Sequence, residues 1–150
     1  MTEPGTLNAS HVRELRIVYS RPATGPSPQV SRPADAAALL QARLEPEPVE
    51  VCVVLLLNTK QRVIGLHEVG RGTLDSCLVH PREVFKSAIL GNAAGLILCH
   101  NHPSGDPTPS PDDLALCTRL RHAGEIVGID LLDFLIIGDG RYYSFKEAGR

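Results

Sequence analysis

The sequence predicts a single α/β domain, with helices packed against a sheet that is largely buried. Three observations carry this. The runs VEVCVVLLLN (49–58) and GLILC (95–99) are apolar and rich in β-branched residues, the composition of strands covered on both faces. Segments with helical spacing, PREVFKSAILGN (81–92) and PDDLALCTRLRHAG (111–124), flank the second run, so strand and helix patterns alternate. Finally, 150 residues is the length of one domain.

Taken in order, residues 1–10 read as a tail, and VRELRIVY (12–19) places Leu15, Ile17 and Tyr19 at period two, the pattern of an edge strand. Three prolines and a glycine in RPATGPSPQV (21–30) then make a linker, so residues 1–30 divide from a folded domain at 31–150. Ser31 is positioned to cap a helix over 34–44, which Pro46 and Pro48 would stop. After the strand at 49–57, the polar residues Asn58, Thr59, Lys60 and Gln61 turn the chain into RVIGLHEVG (62–70), predicting a hairpin whose second strand is interrupted at Gly70 and Gly72. LDSCLV (74–79) reads as a short strand or crossing. Pro81 suits the first turn of the next helix, with Val84, Phe85, Ala88 and Ile89 on one stripe and Gly91 or Asn92 at its end. In the later helix Leu114, Cys117 and Leu120 share a face, IVGIDLLDFLIIG (126–138) reads as one or two strands, Gly138, Asp139 and Gly140 form a turn, and RYYSF (141–145) is a last strand.

Composition excludes several classes. Fifteen Lys and Arg against 17 Asp and Glu give a formal charge of −2, so no basic field draws a polyanion. Cys52, Cys77, Cys99 and Cys117 form no CxxC pair, and Cys52 and Cys99 lie in apolar runs where a thiol acts as a small hydrophobe. A reducing, cytoplasmic setting is expected, with no signal core in MTEPGTLNASHVREL and no apolar stretch long enough to span a membrane. The strand at 12–19 could pair with a copy of itself, giving a homo-oligomer. Glycines 70, 72 and 105 make no phosphate loop, since no GxxxxGK pattern accompanies them.

Chemistry concentrates in HNHPSGDPTPS (100–110) and the helix start that follows. His100 and His102 are two apart, so at an extended strand end their imidazoles share one side. With Ser110 as cap, Asp113 is the third residue of the next helix and can offer a carboxylate. Two imidazoles and one carboxylate suit one zinc ion per chain and leave a fourth position for water. Pro103, Pro107, Pro109 and Pro111 lower the entropy cost of holding these groups together, and Gly105 permits a tight bend. The same residues admit a metal-free reading: Ser110, Pro111, Asp112 and Asp113 match an N-terminal capping box, and the two histidines can be solvated loop residues. Spacing alone leaves both open.

His100, His102, Ser110 and Asp113 fit H-x-H-x7-S-x2-D, which resembles the JAMM metalloprotease motif of catalytic JAB/MPN domains. GTLDSCLVHPREVFKSAI, NAAGLILCHNHPSGDPTPSPDD and LLDFLIIGDGRYYSF are similar to blocks of the bacterial DNA repair protein RadC family, over about residues 30–150. The resemblance implies a cytidine deaminase-like core with a central mixed sheet flanked by helices. It also implies zinc held by His100, His102 and Asp113 with a water, and a catalytic glutamate from a separate segment. Glu50, just before the apolar strand, is the first choice over Glu45, Glu47, Glu68 and Glu83. On this resemblance Glu50 moves the proton of a zinc-activated water in amide or isopeptide hydrolysis, and Ser110 donates a hydrogen bond to the oxyanion.

Two departures stand out. Family members commonly carry a helix-hairpin-helix-like segment for which no room is expected ahead of this core, which weighs against DNA binding. They also commonly have Asp-His where this chain has Asp133 and Phe134. His11, His67, His80 and His122 are expected to be surface or packing residues. The letters HNH do not make an HNH nuclease, and a deaminase lacks its P-C-x-x-C ligands here. A zinc-dependent peptidase acting on an unknown peptide or protein is the leading expectation. A non-catalytic, zinc-stabilised protein or DNA-interaction module is the alternative, with nucleic acid suggested only by the family association.

Overall fold

A computed structural model of the chain describes residues 12, 13, 15, 16, 18, 24–73 and 77–150. Regular structure begins at α1 (Pro33–Leu44) and continues through β1 (Val51–Leu57), β2 (Val63–Arg71), α2 (Pro81–Leu90), β3 (Gly95–Asn101), α3 (Pro111–Val127), β4 (Asp130–Gly138) and β5 (Arg141–Ser144). The strands form one sheet in the order β2-β1-β3-β4-β5. β3 and β4 are parallel and every other neighbouring pair is antiparallel, so the sheet is mixed, as expected. α3 supplies the crossover that a parallel pair requires.

Strand alternation explains the layering. Val51, Val53, Leu55 and Leu57 of β1 point to one face and pack with Ala36, Ala37, Leu40 and Leu44 of α1. Cys52, Val54 and Leu56 point to the other and pack with Val84, Phe85 and Ala88 of α2 and with Cys117 and Leu120 of α3. Because both parities are apolar, β1 and β3 are buried along their whole length. His100 has the parity of Leu96 and Leu98 and therefore lies on the α2/α3 side, at the carboxyl end of the central strand. In open α/β sheets this end is where ligands bind.

The hairpin joining β1 and β2 forms as expected, with Asn58 Oδ1 accepting from the Lys60 and Arg62 amides at 3.0 Å each. Several boundaries differ from the sequence reading. Ser31 does not cap α1; the Asp35 carboxylate instead reaches back to accept from the Ser31 and Arg32 amides at 2.9 Å each. Gly70 does not end β2, which pairs as far as Arg71, but the register shifts beside it, between the Cys52–Gly70 and Val53–Glu68 pairs. Ile89 is exposed, because α2 buries only Val84, Phe85 and Ala88. Ile126 and Val127 finish α3 rather than opening a strand, and Gly128 ends that helix in the left-handed region at φ 75°. In the 12–19 segment the described residues carry no strand, and Glu14, Ile17 and Tyr19 lie outside the described residues, as do 1–11 and 74–76.

Candidate metal centre

Three elements converge at the end of β3. The strand runs two residues past GLILC, carrying His100 and Asn101 within its pairing with β4. His102 follows immediately, its amide donating to Ile137 O at 2.9 Å, so the loop leaves the sheet in a fixed direction. Further on, Gly105 adopts φ 86°, and a Cβ on Gly138 would fall 2.6 Å from Gly105 O, so this glycine pair lets the loop fold against the end of β4. The His102 ring is oriented from behind by Nδ1, 2.8 Å from Asp106 O, which turns Nε2 inward.

Asp113 arrives on α3. The capping box read from the sequence is present: Asp113 N donates to Ser110 Oγ at 3.1 Å, and Ser110 N donates to Asp113 Oδ2 at 2.9 Å. Capping leaves the carboxylate free to do more. Asp113 Oδ1 lies 2.9 Å from His100 Nε2, and Oδ2 lies 3.1 Å from His102 Nε2. The capping and metal-site readings are therefore the same arrangement of atoms.

Glu50 completes the cluster. Its Oε1 sits 2.6 Å from His100 Nδ1 and 3.7 Å from His102 Nε2, and the residue is 6% exposed. The competing glutamates are engaged elsewhere. Glu47 and Glu68 pair with Arg71 at 2.7 and 2.8 Å, Glu83 pairs with Lys86 at 2.5 Å, and Glu45 accepts from the Gly140 amide at 2.8 Å.

Asn101 was not singled out in the sequence, yet it holds Glu50 in place. Its side chain points to the sheet face opposite His100, where Oδ1 accepts from Val51 N at 2.7 Å and Nδ2 donates to Val49 O at 3.0 Å. On the other side, Glu50 N donates to Thr73 O at 3.0 Å and Gly72 N donates to Glu50 O at 2.8 Å. The Glu50 backbone is thus gripped from both flanks. The available signal was a polar side chain inside an otherwise apolar strand, where burial demands a partner.

Electrostatics follow from this packing. Burial opposes a charge on His100, but the hydrogen bonds to Asp113 and Glu50 outweigh it and raise its pKa to about 9. Asp113 is held well below the usual carboxylate range: burial raises it, and bonds to His100 and His102 overcome that. Two carboxylates against two imidazoles make a pocket that retains protons, the charge balance that a divalent cation replaces when it binds. The four side chains offer one ligand atom each, all within 4.8 Å of one another, and this donor set fits one divalent cation. They line a cavity of about 450 Å³ shared with Cys52, Cys77, Ser110 and Arg119.

Several other titratable residues stand apart. Asp133 is tied by Ser144 Oγ at 2.6 Å and the Phe134 amide at 2.7 Å, and burial raises its pKa. Phe134 backs His100 at a ring distance of 5.2 Å and stacks on Phe145 at 4.8 Å. His67 and His122 are exposed, His80 caps α2 by accepting from Arg82 N at 3.1 Å, and His11 lies outside the described residues. No described cysteine is disulfide-bonded; Cys52, Cys99 and Cys117 are buried.

A mixed sheet with two imidazoles at the end of its central strand, met by carboxylates from just before a neighbouring strand and from a helix start, defines a domain of the JAB/MPN kind with a cluster that could hold a metal ion. The model of the RadC-like JAB domain matches residues 30–150, and the chain belongs to that family. It is 50% identical over 119 residues to a UPF0758 protein of Clostridium perfringens, covering 79% of this chain and 52% of that one. Identity is 47% over 148 residues to a UPF0758 protein of Desulforudis audaxviator, covering 97% and 64%. The chain spans about half to two thirds of the length of these relatives. Among the described residues, no helix is long and apolar enough to cross a membrane.

Proposed function

We propose that this chain is a zinc-dependent hydrolase that cleaves an amide or isopeptide bond in a peptide or protein. The observation that carries the reading is the convergence of Glu50, His100, His102 and Asp113 within 4.8 Å on the wall of an open cavity. His100, His102 and Asp113 are the ligands, and Glu50 is the general base. A zinc ion, when bound, supplies Lewis acidity and brings the pKa of a water it holds to about 7.

The remaining work belongs to the protein. Glu50 Oε1, within 3.7 Å of both imidazoles, reaches any group held between them. It accepts a proton there and returns it to the leaving amine. Burial and the two-sided backbone grip keep it from swinging away, which preserves the geometry proton transfer requires. Ser110 Oγ accepts from the Asp113 amide and retains its own hydrogen, which it donates to the developing oxyanion. Asp106 and Asn101 act behind these groups by orienting His102 and the Glu50 backbone.

The test combines metal content with turnover. Elemental analysis of carefully prepared protein should find one zinc per chain, and a peptide library should be cleaved in a manner lost on chelation and in Glu50→Gln. Stoichiometric zinc with no turnover in the unaltered protein would favour a non-catalytic, zinc-stabilised module. Absence of metal would remove both readings. Domain limits of 31–150, a cytoplasmic location and self-association through the 12–19 segment remain part of this proposal.

A further inference from the structure

The cavity holding the cluster has a second wall that hydrolysis itself does not use. Asp112, Ala115, Leu116 and Arg119 line it. Their spacing of three, four and seven residues puts them on one stripe of α3. The stripe leads away from the cluster: Arg119 lies six residues beyond Asp113, about 9 Å along the helix axis. Arg119 is exposed, and among the described residues it makes no hydrogen bond or ion pair. Among the described residues that line the cavity Arg119 is the only Lys or Arg, and the Asp and Glu there are Glu50, Asp112 and Asp113. Leu78 and Val79 face the same space, and Leu78 is 99% exposed.

We infer that this cleft takes an extended peptide that passes over Ala115 and Leu116 and presents a carboxylate to Arg119. At about 3.3 Å per extended residue, that carboxylate lies about three residues from the bond at the cluster. The inference rests on the reading of the site as a peptide hydrolase and names its substrate class. Charge selects the class. A polyphosphate backbone would find a single guanidinium on this wall and a chain of net charge −2, whereas a single carboxylate is matched by that one guanidinium, which no described residue engages. The carboxylate is either an Asp or Glu side chain or a free C-terminus, and the two are separable by experiment.

The probe is a set of fluorescein-labelled hexapeptide pools with blocked ends, in which Glu or Gln is scanned through each position. A parallel set has a free C-terminus. Binding is measured by anisotropy on the zinc-loaded full chain carrying Glu50→Gln, so that no turnover is needed. Acid-bearing pools should bind about fivefold more tightly than amide pools, the scale of an exposed ion pair. That preference should vanish in Arg119→Gln and reverse in Arg119→Glu. Preference for Glu over Gln among blocked pools assigns a side-chain acid, and tighter binding of the free-ended set whether it carries Glu or Gln assigns a C-terminus. Equal binding of Glu and Gln pools together with equal binding of free and blocked ends, no binding of any pool, or a preference that survives Arg119→Gln overturns the inference; so does Arg119-dependent binding of a DNA duplex in place of peptide. Because binding is read without cleavage, an unaltered chain that fails to cleave counts against the hydrolase reading alone. Cleavage indifferent to the acid counts against this inference alone.

Discussion

Asn101 Oδ1 accepts the Val51 amide hydrogen at 2.7 Å across fifty residues of sequence, joining the end of the strand that bears His100 to the start of the strand that follows Glu50. The bond is buried and lies on the face opposite the cluster. Asn101 therefore fixes the position of a carboxylate it never touches. In Asn101→Ala the Val51 amide loses its partner in a buried setting, at about 1–3 kcal/mol, and the part-buried Val49 carbonyl loses one donor. Urea denaturation should show a loss of about 1–3 kcal/mol on that basis. Zinc affinity, read by competition with a chromophoric chelator, should fall less than turnover, since the three proposed ligands stay in place. An unchanged urea midpoint would show that water satisfies the Val51 amide instead.

Ser110 separates capping from chemistry. Ser110→Ala removes the acceptor for the Asp113 amide, costing about 1 kcal/mol as lost N-caps do. If the hydroxyl also donates to an oxyanion, turnover should drop by about a hundredfold or more. Ser110→Thr, which keeps both functions, should restore both. A variant with unchanged kcat and reduced stability would mark Ser110 as a cap only.

The metal-free protein should lose stability as pH rises. His100 is raised from 6.5 to about 9, so the folded chain binds this proton more tightly than the unfolded chain does. The resulting stabilisation is complete below pH 6.5 and is lost as pH rises through about 9. In EDTA, urea midpoints should therefore fall across that interval, while the zinc-loaded protein should show a flatter profile because the ion has displaced the proton. A midpoint that climbs over the same interval would contradict the assignment.

Gly124 tests how α3 is seated. A Cβ there would lie 2.5 Å from Ile129 O, a backbone atom that cannot swing aside, and 3.5 Å from Phe85 Cζ. Gly124→Ala should destabilise the protein by about 1–3 kcal/mol through forced displacement of the helix, despite the better helix propensity of alanine. Because α3 carries Asp113 at its other end, zinc affinity should weaken as well. Thermal unfolding with and without zinc measures both effects.

Much of this architecture was legible in local patterns. The apolar runs at 49–58 and 95–99, the hairpin turn at Asn58, the helices opened by Pro81 and by Ser110-Pro111, and the burial of Cys52 and Cys99 follow from composition and periodicity, which act over a few residues. The His100, His102 and Asp113 grouping was also visible, since a strand end, a stiff loop and a helix start lie within fourteen residues. Local signals misplaced the edges. Ser31 was passed over as a cap because α1 starts at Pro33, which makes Arg32 the cap residue, and Ile89 was left in solvent because α2 buries only Val84, Phe85 and Ala88.

By itself, then, the sequence determined which stretches become strands and helices and which two imidazoles stand side by side, because spacing and burial preference are properties of neighbouring residues. Only the tertiary structure decided that Glu50 rather than Glu45, Glu47, Glu68 or Glu83 meets those imidazoles, that Asn101 holds it there, and that Arg119 lines the cavity wall with no partner among the described residues. Each of these depends on sheet order, on the β1–β3 register and on the seating of α3. Register and helix seating are set by packing between segments distant in sequence, which no local pattern encodes.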